Sequence, residues 1–207
     1  MKKGMMAVLA MILMMSAAGC GSKIVSHDIY SEIYKRYNDL KSYTAEAEVT
    51  VISNSTSKQY TMRQYYTADG KYKLEILQPQ NIAGTSYTFV GGEVYLNSSF
   101  GAQERLEQYI PGDRDCLFVP DFFAEYYKSE DNTVTSASDI SGAQTKLTSL
   151  LSGNNRYRFE QSLWVDNKTL LPSRMETYDV NGDMVLQVVF TDFKYNEKID
   201  EQVFDIP

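Results

Sequence analysis

From residue 43 onward the chain alternates apolar and polar side chains at a period of two, as in residues 43–51, 58–66 and 156–165. Successive side chains of a β-strand point to opposite faces, so this alternation predicts strands with one buried and one solvated face. An Asp-Gly pair at 69–70 and an Asn-Gly pair at 181–182 favour tight hairpin turns. The sequence therefore predicts an antiparallel sheet built from consecutive hairpins.

Two segments depart from the strand pattern. Residues 26–41 carry apolar side chains at helical spacing, which predicts an amphipathic helix. Within residues 113–129, Pro120 followed by closely spaced aromatic residues predicts a short aromatic helix. Residues 129–143 are polar and are predicted to form a loop. For residues 144–151 the periodicity leaves strand and helical turn open. We count about nine strands and two helices in all.

Nine flat strands present more apolar surface than two helices can cover. A single curved sheet that wraps around the helices resolves this mismatch, so we predict one α+β domain over residues 26–207, an open half-barrel with a concave apolar interior. Whether that interior is filled or open to a ligand stays undecided. The residues predicted to line it are Tyr60, Met62, Leu74, Tyr87, Phe89, Leu163, Leu186, Val188 and Phe190.

The first residues have the layout of an export signal. Lys2 and Lys3 precede an unbroken apolar run over residues 5–15, which is too short to span a bilayer but suits a signal peptide. Residues 17–20, Ala-Ala-Gly-Cys, resemble the bacterial lipobox. That resemblance implies cleavage after residue 19, diacylglyceryl attachment to Cys20 and anchoring on the outer face of a membrane. Residues 20–25 would then link the anchor to the domain.

The chain is acidic, with 20 basic and 27 acidic residues and a net charge of −7. Removal of residues 1–19 would take away two lysines and no acid, which makes the remainder more negative. Because such a domain repels phosphate backbones, nucleic acid is not an expected partner.

Cys116 is the second of two cysteines. If Cys20 is acylated, Cys116 has no partner within the chain. A small buried core residue is the interpretation we favour, and an intermolecular disulfide is the alternative.

The sequence holds no recognisable catalytic constellation. Its one histidine, His27, is expected to be solvated in the first helical turn, and His-based metal motifs are missing. The carboxylate pairs Glu46/Glu48 and Asp113/Asp115 are expected on solvated surfaces, since nothing in the sequence marks one member of a pair as an acid and the other as a base. We therefore expect a binding protein with no cofactor and no metal, not an enzyme.

Four stretches resemble the LolA-like lipoprotein carrier superfamily: residues 39–51, 64–79, 163–182 and 188–207. The resemblance implies an open half-barrel of antiparallel strands around helices. Within that superfamily the chain is most similar to the lipid-anchored, GerS-type germination lipoproteins of clostridia. This similarity implies a sporulation or germination role in which the protein binds and activates a spore-cortex N-acetylmuramoyl-L-alanine amidase.

Two classes of function remain open. In the first, the half-barrel is a membrane-tethered scaffold for a protein partner. In the second, it carries a lipid or lipoprotein whose acyl chains occupy the concave face. An anchored protein cannot shuttle between membranes, which favours the scaffold. Homodimer formation is left open.

Overall fold

The computed structural model describes residues 27–53, 56–106, 116–153 and 155–206. Cys20 lies outside this part of the chain, as do Asp113 and Asp115. The signal peptide, the lipidation and the linker therefore stay predictions.

Eleven antiparallel strands form one sheet with the order β6-β5-β4-β3-β2-β1-β11-β10-β9-β8-β7 in the described residues. Every pair of neighbouring strands is consecutive in sequence except the central pair, β1 and β11, and the consecutive strands β6 and β7 lie at opposite edges. The strands are β1 (Ser42–Ser53), β2 (Thr56–Thr67), β3 (Lys71–Gln78), β4 (Ser86–Val90), β5 (Glu93–Asn97), β6 (Gln103–Arg105), β7 (Thr133–Asp139), β8 (Gly142–Leu150), β9 (Glu160–Asp166), β10 (Pro172–Tyr178) and β11 (Met184–Tyr195).

Two α-helices of the described ranges lie against one face of this sheet: α1 (His27–Asn38) and α2 (Val119–Lys128). Ile33 and Tyr37 of α1 are buried, one helical turn apart, as the amphipathic pattern predicts. Pro120 stands in the first turn of α2, where its missing N–H costs no hydrogen bond. Short 3-10 turns at Gln80–Ile82 and Glu201–Phe204 complete the regular structure of the described residues.

The predicted loop over residues 129–143 is wrong, because it contains β7. This strand pairs with β8 along its whole length, and Asp139 accepts a hydrogen bond from the Ser141 N–H in the turn between them. Most of its side chains are exposed, so it lacks the apolar alternation that marks a half-buried strand. The undecided segment at 144–151 forms most of β8.

The sheet is curved and unclosed, as predicted, and its concave face carries the core. One row of facing side chains crosses six adjacent strands from β2 to β8, and all but the first are buried. Because directly paired residues project to the same face, this row marks the concave side. Its members are Tyr60, Val49, Val188, Met175, Leu163 and Leu147.

The opposite, convex face is polar. Arg63 of β2 bonds Glu46 of β1 at 2.6 Å, and both side chains are more than a third exposed. Trp164 lies between two cations, with the Arg174 guanidinium carbon 4.1 Å and the Lys146 nitrogen 4.9 Å from its ring centre. Among the helices of the described ranges, none combines the length and the apolar character that a membrane span needs.

Candidate binding site at the open end of the half-barrel

The structure brings all nine residues predicted for the concave interior onto that face. Five are buried and four are partly buried against the same cluster. The space in front of them is occupied by aromatic side chains of α2 and its approach: Phe118, Phe122, Phe123 and Tyr126, each at most 5% exposed. Phe123 also stacks on Tyr37 of α1 at 4.4 Å between ring centres. The predicted role of the nine residues as the lining of a ligand cavity stays a prediction.

Residues 116–118, here called the strap, cross the concave face before α2. The side-chain amide of Gln64 on β2 donates to the Leu117 carbonyl at 3.0 Å, and that of Gln161 on β9 donates to the Cys116 carbonyl at 3.1 Å. Both glutamines are fully buried. Two buried amides therefore hold the strap from opposite sides of the sheet.

These two hydrogen bonds also show how strongly the sheet curves. Along the sheet, β2 and β9 are four strand spacings apart, or about 19 Å. The Cα atoms of consecutive residues are only about 3.8 Å apart. Adjacent carbonyls can meet both strands only because the sheet folds around the strap.

Cys116 lies in the strap and is 2% exposed. The Gln161 amide reaches its carbonyl and also donates to the Thr177 hydroxyl at 3.2 Å. This position places the Cys116 thiol within the protein interior. An intermolecular disulfide at Cys116 stays a prediction.

Beyond the strap, the half-barrel opens into a cavity of about 670 Å³. This size falls within the range of about 300–1,000 Å³ that is usual for binding pockets. Its apolar side is formed by β1, β2, β11 and the strap, and its polar side by the β8–β9 loop and the β10–β11 turn. The lining residues are Val49, Val51, Ile52, Ser53, Met62, Leu117, Arg156, Tyr157, Arg158, Asp179, Asn181, Val185 and Leu186.

Among the described lining residues, three charged side chains lie at the polar rim of this cavity: Arg156, Arg158 and Asp179. Arg156 and Arg158 flank Tyr157, and the Arg156 guanidinium carbon lies 5.5 Å from the Tyr157 ring centre. Asp179 is the one carboxylate among the described lining residues, and it accepts hydrogen bonds from the N–H groups of Asp183 and Asn181 at 2.9 and 2.8 Å. The Asp183 N–H in particular lowers the pKa of the Asp179 carboxyl, so this carboxyl stays ionised within the β10–β11 turn.

This rim and the two glutamines that bond the strap, Gln64 and Gln161, were not predicted from the sequence. The signal for the rim is the short run Arg-Tyr-Arg at 156–158, whose alternation indicates the start of a strand instead. In the sequence, Gln64 and Gln161 stand out only as alternating strand residues. Their role depends on a tertiary contact with residues more than forty positions away.

The phenols of the core are not poised for proton transfer. Burial raises the pKa of Tyr43 well above its usual value, and its hydroxyl donates to the Gln64 side-chain oxygen at 2.9 Å. Burial likewise raises the pKa of Tyr37, whose hydroxyl donates to the Leu170 carbonyl at 3.0 Å. Both groups act as neutral hydrogen-bond donors that fasten neighbouring elements.

The candidate carboxylate pair at Glu46 and Glu48 projects from the polar face of β1, where Glu48 is exposed and Glu46 bonds Arg63. Within residues 27–53, 56–106, 116–153 and 155–206, no cluster of three or more His, Cys, Asp or Glu side chains has the arrangement of a metal site. His27 begins α1.

The arrangement at the open end suits binding: an apolar floor beside two guanidinium groups.

Comparison with known proteins identifies relatives in sporulation. The family described as "Sporulation protein YdcC-like" matches residues 1–204. The sporulation protein YdcC of Bacillus subtilis (strain 168) is 20% identical over 195 residues, which cover 94% of this chain and 56% of that protein. The chain thus spans about half the length of this curated relative.

Solved structures share the fold. An uncharacterized conserved protein from Thermus thermophilus matches with a TM-score of 0.56 at 15% identity, over 86% of this chain and 94% of that one. A chain in the structure of the CwlD amidase from Clostridioides difficile in complex with the GerS lipoprotein matches at 26% identity with a TM-score of 0.49. That match covers 85% of this chain and 99% of the other. The predicted relationship to sporulation proteins is confirmed, and the chain belongs to the YdcC-like family of sporulation proteins.

Proposed function

We propose that this protein is a non-catalytic scaffold of sporulation, anchored outside the membrane through diacylglyceryl-Cys20, that binds a protein partner. The observation that carries the proposal is the filled interior. Phe118, Phe122, Phe123 and Tyr126 occupy the concavity in front of the apolar strand residues. A half-barrel packed in this way offers its surface to a protein partner, whereas a carrier needs an empty channel for its ligand.

The proposed partner is a spore-cortex N-acetylmuramoyl-L-alanine amidase. Membership of a sporulation family supports the setting. The resemblance of residues 42–53 and 163–179 to GerS-type lipoproteins supports this class of partner. In this proposal the cleavage of the amide bond belongs to the amidase. The scaffold's contribution would be to bind and activate it near the membrane.

An activity assay tests the proposal. The cortex amidase of the same organism is incubated with cortex peptidoglycan, with and without the full chain, and the released amino groups are counted. We expect the chain to raise the amidase rate at a one-to-one ratio and to release nothing alone. An unchanged amidase rate, together with no complex in size-exclusion chromatography, would reject the amidase as partner.

The cavity of about 670 Å³ favours a second candidate, a carrier that holds an acyl chain at the open end. Its floor of Val49, Met62 and Leu186 is apolar, and Arg156 could face an anionic headgroup. Titration with a fluorescent fatty acid of sixteen carbons tests this candidate. Saturable binding that a Leu186→Trp substitution removes would support the carrier, and the lack of saturable binding would reject it.

A further inference from the structure

Two exposed tyrosines meet where α1 lies beside α2. Tyr34 of α1 is 46% exposed and Tyr127 of α2 is 42% exposed, and their rings form an edge-to-face pair with centres 5.2 Å apart. Tyr30, one helical turn before Tyr34, shares this side of α1 and is half-buried against the core. We call Tyr30, Tyr34 and Tyr127 the tyrosine patch. Aromatic rings from both helices thus form one surface that is open to solvent.

The rings of the tyrosine patch are uncharged at physiological pH. Burial raises the pKa of Tyr127, and the neighbouring phenols Tyr30 and Tyr34 raise it further. A neutral tyrosine combines an apolar ring with a polar hydroxyl. This residue type is enriched where proteins meet the boundary between lipid headgroups and acyl chains. The chemistry of the patch therefore suits a lipid–water boundary.

The chain itself holds α1 close to the proposed anchor. His27 begins α1 and is seven residues after Cys20. At about 3.5 Å per residue, the chain between these two Cα atoms spans at most about 25 Å. Tyr30 and Tyr34 follow His27 by about 5 and 11 Å along the helix axis. The tyrosine patch therefore begins one helical turn from the point where the anchored segment enters the fold.

This connection is short compared with the folded body. A domain of about 180 residues has a radius of gyration of about 16 Å, which corresponds to a diameter of about 40 Å. If acyl chains fix Cys20 in the bilayer, the body cannot turn the start of α1 a full diameter away from the membrane. One side of the half-barrel must then face the bilayer, and the tyrosine patch lies beside the point of attachment on that side.

We propose that the tyrosine patch rests on the outer surface of the membrane, with its rings among the lipid headgroups, and so fixes which side of the half-barrel faces away from the bilayer. Because the rings are uncharged, the contact does not require anionic lipid. Three rings bury too little apolar area to hold the protein alone, since even a single myristoyl chain binds only marginally. The patch therefore orients a protein that the acyl chains retain. This inference rests on the proposed anchor at Cys20 and adds an orientation to it.

Fluorescence quenching in vesicles tests the contact. The single tryptophan of the chain, Trp164, lies on the convex face and is replaced by Phe to give a silent background. In this background, Tyr34→Trp and Tyr127→Trp each place a reporter in the tyrosine patch. The matched control is Phe100→Trp in the β5–β6 turn, at an aromatic residue that is 85% exposed. Because neighbouring strands run antiparallel, this turn lies at the end of the sheet opposite to the start of β1, into which α1 leads.

Each full-length protein is purified from membranes and reconstituted in phosphatidylcholine vesicles, with and without bromine atoms near the headgroup end of the acyl chains. Flotation of the vesicles shows whether the protein is retained, and the melting temperature of each variant is recorded. If Trp164→Phe lowers the melting temperature, the reporters are read in the original background, where Trp164 contributes the same signal to every variant.

We expect bromine to reduce the fluorescence of Tyr34→Trp and Tyr127→Trp by about half or more, because a ring seated about 5–10 Å into the boundary approaches the bromine atoms. Phe100→Trp should keep its intensity. Adding Cys20→Ala to Tyr34→Trp should abolish the quenching, because the chain then leaves the vesicles.

The outcomes separate this inference from the proposed anchor. Flotation with the vesicles and no quenching at either tyrosine site would overturn the orientation and leave the anchor standing. A full-length chain that does not float would overturn both. Equal quenching of Phe100→Trp would mean that the body has no fixed orientation, which also rejects the inference. If the emission of Tyr34→Trp shifts only when the cortex amidase is added, the patch is a protein contact and the membrane contact is rejected.

Discussion

At the scale of single residues, the two buried glutamines that bond the strap distinguish this interior from a purely apolar core. Gln64 has both side-chain groups satisfied, since it accepts from Tyr43 and donates to Leu117. Gln161 donates to Cys116 and Thr177, but its side-chain oxygen has no hydrogen-bond partner among the described residues. A buried unpaired oxygen costs free energy, so the two glutamines contribute unequally to the stability of the fold.

This asymmetry predicts the result of a pair of substitutions. Gln64→Leu removes the acceptor of the Tyr43 O–H and the side-chain donor to the Leu117 carbonyl, at a cost of about 2–4 kcal/mol in the free energy of unfolding. Gln161→Leu removes the side-chain donor to the Cys116 carbonyl but also removes an unpaired oxygen, so we expect a loss smaller by about 1 kcal/mol or more. Urea unfolding followed by circular dichroism measures both. Equal losses would contradict the hydrogen-bond account of the strap.

Asp166 shapes the β9–β10 turn and gives the fold a dependence on pH. Burial works against its ionisation. Hydrogen bonds from the Thr169 N–H and hydroxyl, at 2.7 and 2.9 Å, outweigh burial and lower the pKa of the carboxyl below its usual 3.8. A pKa that is lower in the folded state stabilises the fold above pH 3.8, and this contribution disappears as the pH falls through the folded-state pKa.

Asp166→Asn should therefore cost stability at pH 7, by at most about 1 kcal/mol for this largely solvated group, and cost progressively less below about pH 4. Unfolding curves at about pH 7, 5 and 3 test this, with Asp205→Asn as the control at an exposed site outside the turn. A difference between the original chain and Asp166→Asn that stays constant with pH would refute the role of the charge.

At the scale of elements, the strands with one buried face were predictable from sequence, because period-two alternation reports that burial directly. β1, β2 and β9 show it, and so do the nine residues found on the concave face. β7 was missed because an edge strand with most side chains exposed has no alternation to detect. The strap and the arginine rim were missed because they arise where distant segments meet.

The filling of the concavity by α2 makes a strong prediction for that helix. Phe122 is 1% exposed and stacks on Tyr126, with ring centres 5.7 Å apart. Phe122→Ala should lower the free energy of unfolding by about 3–5 kcal/mol, because it leaves a cavity in the core. Tyr127→Ala, on the same helix at a residue 42% exposed, is the matched control and should cost far less. Similar losses for the two would mean that α2 does not fill the interior.

At the scale of the whole molecule, we propose a lipid anchor that is separate from the folded half-barrel. We expect the anchor at Cys20 and the linker of residues 20–25 to add nothing to the stability of the half-barrel. Cys20→Ala should therefore move the protein from the membrane fraction to the soluble fraction without a change in its circular-dichroism spectrum or melting temperature. Retention of this variant in the membrane would argue against the lipid anchor, and loss of the folded signal would argue against an independent domain.

The central claim is that the filled half-barrel binds a protein rather than a lipid. Native mass spectrometry of the purified chain, alone and mixed with the cortex amidase, tests it most directly. We expect a bare mass for the free chain and a new species at the summed mass of chain and amidase. A free chain that carries a bound lipid, together with no species at the summed mass, would contradict it.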